Sequence, residues 1–314
     1  MQEALLVGNQ VLLIYIYIAI GIVCVKKQIV TQEIGKNLSS FVLMVITPCL
    51  IIKSYIRPFE KAHLLGLALA FLLAFIFHGI AIIVSNFLIK KREGIRYKIE
   101  RMGVVYTNCG FMAIPLIVVA VGDIGIFYAV AFISVFNMAL WTHGIMVITD
   151  RRSINLKSAI WNPGVIGFII GFIIYCTQLH IPDLIDQGVT SLSQLNTPLA
   201  MIITGIFLAE INFKSVFKNY NIAYVSGIRL FILPLIMLII IKILGVEYWM
   251  TGAADVIMAS ILACSAPAAA SIALLPAKFG MEGEYGAKIV ALSTLLSIIT
   301  LPLFNLLTNL WVRG

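Results

Sequence analysis

Charge is what this sequence has least of. Asp, Glu, Lys and Arg make up 11% of its 314 residues, less than half of the roughly 25% found in soluble globular chains, and that shortage excludes a solvated globule. The four histidines, His63, His78, His143 and His180, fall at no metal-ligand spacing. Neither a phosphate-binding glycine loop nor a nucleophile elbow occurs. The sequence therefore points away from an enzyme and implies neither a cofactor nor a metal. Five cysteines, Cys24, Cys49, Cys109, Cys176 and Cys264, are odd in number and scattered through apolar runs. A thiol there serves as a small packing group, and no structural disulfide is expected. No polar stretch is long enough for a separate soluble domain; the longest charged connector, "KKREGIRYKIER" at 90–101, is one loop.

What the chain does have is apolar sequence: 61% hydrophobic residues and a mean hydropathy of +1.05. At about 20 residues per span, the polar punctuation cuts it into ten segments, near 4–25, 37–56, 62–89, 99–121, 124–149, 161–178, 189–210, 219–244, 250–278 and 284–312. The first has no basic lead and is too long for the core of a signal peptide, so it reads as a retained span. The expected fold class is an all-α membrane protein of ten transmembrane helices, forming one integral domain over 1–314.

Basic residues lie unevenly between alternate loops. The loops after segments one, three, five, seven and nine hold 16 of the 22 lysines and arginines, the opposite side holds 5, and Arg229 lies inside the eighth segment. Basic loops stay cytoplasmic, so both termini are expected outside a cell membrane. The net charge of +8 is accounted for by this topology and by contact with anionic membrane lipids. A nucleic-acid partner is not expected.

Internal repetition is visible at two offsets. Shifting by 150 residues lays Thr47-Pro48 on Thr197-Pro198 and Gly21 on Gly171, and shifting by 158 lays Gly122 on Gly280, Gly125 on Gly283, and Asn108-Cys109-Gly110 on Ala266-Pro267-Ala268. The matches keep their order along the chain. With five segments per copy the second copy enters the membrane inverted, a 5+5 pattern typical of secondary transporters.

Helix breakers sit in the middle of the fourth and ninth segments. "YTNCGFMAIPL" holds Asn108, Cys109 and Gly110 and then Pro115, while "LACSAPAAAS" holds Ser265, Ala266, Pro267 and Ala268 at the corresponding depth. Proline removes a backbone donor, small residues admit a second backbone, and irregular chain at that depth persists only where protein or a wet cavity satisfies it. These residues are therefore the candidate substrate site, on two interrupted, crossing helices. The second half-helices are expected to start near Gly110 and Ala268, with Pro267 favouring a helix start. Arg229, well inside a span, is a candidate for attracting substrate by its cost there, with a structural ion pair or snorkelling to the membrane surface as the alternative. Asp255 and Glu210 fall near span ends, where solvated or capping roles are expected. Gly167 and Gly171 are expected to let helices approach closely.

"NCGFMAIPL" at 108–116, "NTPLAMIITGIFLAE" at 196–210 and "SAPAAASIALLPAKFG" at 265–280, followed by "LSTLLSIITLPL", together resemble the auxin efflux carrier family over essentially the whole chain. The short connector between the fifth and sixth segments, with Asp150, Arg151 and Arg152, is that of its prokaryotic permeases, and Ala268 and Ala269 follow Pro267 in place of the plant wording. The resemblance implies a scaffold of spans 1, 2, 6 and 7, a transport unit of spans 3–5 and 8–10, a homodimer, and a small organic anion as substrate, a mono- or dicarboxylate such as malate or malonate, or an auxin-like acid. Two alternatives stay open. A cation-coupled antiporter would want carboxylates at the crossing, and none stands between Tyr106 and Pro115 or between Ser260 and Pro276. A ligand sensor would want an appended signalling domain.

Overall fold

The computed structural model describes residues 2–150, 161, 163–281 and 283–313. Arg151, Arg152 and Lys157, which enter the basic count, lie outside the described residues. Every regular element among those described is helical; besides the short turns Phe213–Phe217 and Val246–Tyr248 they are α1 (Gln2–Lys26), α2 (Gln32–Tyr55), α3 (Lys61–Leu88), α4 (Arg96–Val105), α5 (Cys109–Val121), α6 (Asp123–Thr149), α7 (Pro163–Thr177), α8 (Asp183–Leu208), α9 (Tyr220–Leu244), α10 (Ala253–Ser265), α11 (Ser271–Lys278) and α12 (Glu284–Val312). A helix satisfies its own backbone, the condition for lying in lipid. Six of them, α2, α3, α6, α8, α9 and α12, are long and apolar enough to cross a membrane, and shorter apolar helical stretches are Leu12–Lys26 within α1 together with α5, α7 and α10. The chain is a multi-pass membrane protein.

Two helices begin earlier than hydropathy indicates. α2 starts at Gln32 because the Thr31 hydroxyl caps the N–H of Ile34, and α8 starts at Asp183 after Pro182, with Asp183 and Asp186 in its first turn, where acidic groups suit the helix dipole. Both first turns are polar and do not register as apolar sequence.

Close helix packing depends on glycine. A Cβ on Gly21 would stand 2.1 Å from the Ile202 carbonyl oxygen and one on Gly205 2.0 Å from that of Ile18, so α1 and α8 meet backbone to backbone. Gly167 and Gly171 bring α7 against Pro48 and Tyr55 of α2, as expected of them. Sharp reversals use left-handed glycines, Gly122 at φ +85 between α5 and α6 and Gly280 at φ +72 between α11 and α12, a region open to glycine at little strain.

α10 is the most enclosed helix, with Val256 through Ser265 all buried among α3, α5, α6, α9 and α12. α4 packs on α3, α9, α11 and α12. Both helices that stop short are thus walled off by others, which is what allows them to stop.

Candidate transport site at the helix crossing

Where α4 and α10 end, the chain becomes extended and the two strands pair. Asn108 donates its backbone N–H to the Pro267 carbonyl at 2.7 Å, Ala269 donates to the Tyr106 carbonyl at 3.0 Å, and Thr107 lies antiparallel to Ala268. Each break supplies the partners the other lacks, which is the accounting that buried backbone requires. Side chains complete it. Thr107 Oγ1 donates to the carbonyls of Ala263 and Ala266 at 2.8 and 3.2 Å, and Ala268 N–H donates to Ser293 Oγ at 3.1 Å. Alanines at 266, 268 and 269 keep the strands close enough to pair.

The second halves begin at Cys109 and Ser271. α11 therefore starts three residues beyond Ala268. The segment from Ala266 is committed to pairing first, and the opening turns of α11 close only with Ile272 N–H on Ala269 and Ala273 N–H on Ala270. This also corrects the reading of Pro267, which stands in the extended stretch rather than at a helix start; its missing N–H leaves no donor to satisfy there.

Like ends of the half-helices gather on separate sides of the crossing. On one side lie the C-terminal turns of α4 and α10. Arg229 faces them, donating to the Val104 carbonyl at 2.9 Å and, through its other terminal nitrogen, to that of Cys264. On the other side lie the N-termini of α5 and α11, whose first N–H groups have no intrahelical acceptor. Asn108 stands at the first, and its carboxamide has no partner among the described residues. Ser271 stands at the second, with its buried hydroxyl equally unpartnered.

Two cavities reach this N-terminal side. The first, about 260 Å³, is lined by Asn108, Gly110, Ser271, Thr47, Asn137 and a largely apolar wall including Phe111, Phe136 and Trp141, and runs out to Lys278. The second, about 280 Å³, runs from Asn108 to Gln32, Lys36, Ile211 and Glu284. They share Asn108, Ala270 and Leu274, so α11 stands between them. Both open toward the loops that carry most of the basic residues. On the opposite face, Tyr55, Phe127 and Tyr175 pack with ring centroids 4.6 to 6.2 Å apart, Arg57 lies 5.5 Å over Phe127, and Lys53 grips Asp186 at 2.6 and 2.9 Å.

Three helical irregularities surround the first cavity. π-helical turns at Val42–Ile46, Cys109–Ala113 and Leu140–Gly144 each contribute lining residues, Leu43 and Met44, Gly110 and Phe111, Leu140 and Trp141. A fourth, Ile228–Ile232, carries Arg229. Such turns recur at functional sites because they re-aim side chains.

Of the residues singled out in the sequence, Asn108 and Gly110 line cavities, whereas Cys109, Pro115, Ser265, Ala266, Pro267, Ala268 and Arg229 lie behind that wall, all buried. Thr47, Asn137, Asn196 and Ser271 are not among the site residues expected from the sequence. Thr47 Oγ1 donates to Asn196 Oδ1 at 3.2 Å, and Asn196 Nδ2 donates to the Gly110 carbonyl at 3.3 Å, tying α2 and α8 to the break. The repeated Thr-Pro pairs at 47 and 197 were a signal for this contact, since Asn196 adjoins the second.

A membrane-embedded bundle with two interrupted helices crossing beside cavities open to one face defines a membrane transport protein. Sequence comparison agrees: the family described as Membrane transport protein matches over residues 6–159 and 150–305. The chain belongs to this family, that of the auxin efflux carriers. No curated protein matched the chain.

Proposed function

We propose that the chain is a secondary transporter that moves a small organic anion across the cell membrane by alternating access. The observation that carries this reading is the pair of unpartnered polar groups, the Asn108 carboxamide and the Ser271 hydroxyl, at two half-helix N-termini on a cavity wall. Aligned peptide dipoles put about half a positive charge at each such end, so a carboxylate is held there without a buried cation. The cavity's apolar wall takes the rest of the substrate. Candidates are a mono- or dicarboxylate such as malate or malonate, or an auxin-like acid.

The ten-span, 5+5 inverted repeat belongs to this reading, with α4 and α5 forming span four, α10 and α11 span nine, and copies at about 1–149 and 158–314. Glycines matched at an offset of 158 support it by doing the same work. Gly122 and Gly280 both turn the chain with positive φ, and Gly125 and Gly283 both pack against the preceding half-helix, on Ile117 and Ala273. Spans 1, 2, 6 and 7 form the scaffold and spans 3–5 and 8–10 move against it, in a homodimer with termini outside. In these terms the molecule is open to the cytoplasm and closed outside by the aromatic contacts around Phe127.

Counterflow in proteoliposomes, using labelled malate, malonate and indole-3-acetate with and without sodium and pH gradients, tests the reading. Uptake of one of them supports it. Absence of uptake and of binding across a panel of organic anions would overturn it.

A further inference from the structure

Arg229 is fully buried, carries a charge that the proposed anion site does not use, and reaches neither cavity. Among the described residues no carboxylate pairs with it. Its two terminal nitrogens instead face main-chain carbonyls, while Nε is buried without a partner among the described residues. One terminal nitrogen donates to Val104 at 2.9 Å and approaches Val105 at 3.5 Å, the other donates to Cys264, and the group lies 5.0 Å over the Phe77 ring.

Those carbonyls are the unpaired ends of two helices. Each C-terminus carries about half a negative charge, so two together approximate one full charge, which a single cation balances. In transporters built on interrupted helices such ends commonly hold an inorganic cation. Here a tethered one is already in place. The planar fork also fits the task, one arm on α4 and the other on α10, which the single point charge of a lysine cannot reproduce.

We propose that Arg229 is a positioning residue that supplies this cation permanently, locking the C-terminal halves of the crossing together so that transport needs no inorganic cation at this place. This rests on the transport reading above. Arg229 acts on the substrate only through the crossing, whose opposite side presents Asn108 and Ser271.

The test uses the reconstituted full chain and whichever labelled carboxylate the unmodified protein takes up. Replacing sodium and potassium by N-methyl-D-glucamine at constant pH should leave its rate within about twofold. Arg229→Ala should lower kcat by about tenfold or more with little change in KM, and millimolar guanidinium chloride should restore part of the rate, while Arg229→Lys should not recover it. The proposal is overturned if the unmodified protein loses about tenfold of its rate without sodium and potassium, if Arg229→Ala raises KM at constant kcat, or if folded Arg229→Ala ignores guanidinium. Should Arg229→Ala fail to assemble, the arm on the unmodified protein still decides. Failure of the transport reading itself looks different: the unmodified protein would neither bind nor move any carboxylate.

Discussion

The backbone N–H of Asn108 donates to the carbonyl of Pro267 at 2.7 Å, at the depth where both helices have stopped. This bond, with its companion from Ala269 to Tyr106, makes two breaks into one structure. Without it four main-chain groups would be buried unpaired, at about 1–3 kcal/mol each. The pairing also aims both half-helix N-termini at the same cavity wall.

Pro267→Leu tests whether the break itself matters. Leucine supplies the missing N–H and frees φ, which lets 266–270 join α10 to α11 as one helix. The variant should insert and remain folded by size-exclusion chromatography, yet its counterflow rate should fall by about tenfold or more as the half-helix end is lost. A rate equal to that of the unmodified protein would reduce the break to a kink.

Gly205→Ala tests the backbone contact of α1 with α8. The added Cβ would stand 2.0 Å from the Ile18 carbonyl oxygen, so the helices must separate, at about 1–3 kcal/mol or more. Melting in detergent should shift down clearly, whereas Gly79→Ala, with nothing within 4 Å, should stay within about 0.5 kcal/mol. Equal shifts for both would contradict the packing described.

Orientation is open to labelling in intact cells. A cysteine introduced at Glu93, in the basic loop, should be shielded from an impermeant thiol reagent, and one at the exposed Asp183 should react. The reverse pattern would invert the topology.

Much of the crossing was legible in the sequence because its requirements fall on residue types. Asn108, Gly110 and Pro267 interrupt apolar runs, and Gly122 and Gly280 each mark a left-handed turn between helices. The π-helical turns were not legible, since the extra residue in a turn leaves hydropathy unchanged. Nor was the role of Arg229, whose partners are carbonyls of helices distant in sequence and carry no residue signature. Asn196 was overlooked for a related reason: its bond to Gly110 depends on how α8 docks, and a single amide within an apolar run does not reveal its partner. The start of α11 was misplaced because local rules put Pro267 at a helix start, while pairing with Tyr106 and Asn108 kept the segment extended.

The central claim is that the N-terminal side of the crossing binds an anion through Asn108. Equilibrium binding of labelled carboxylates to purified protein, compared between the unmodified chain and Asn108→Ala, tests it most directly. Removing a hydrogen bond to a charged group should weaken binding by about 1 kcal/mol or more, with melting unchanged because the carboxamide holds no other described residue. Equal affinity in a folded Asn108→Ala protein would contradict the account and move the substrate site away from the crossing.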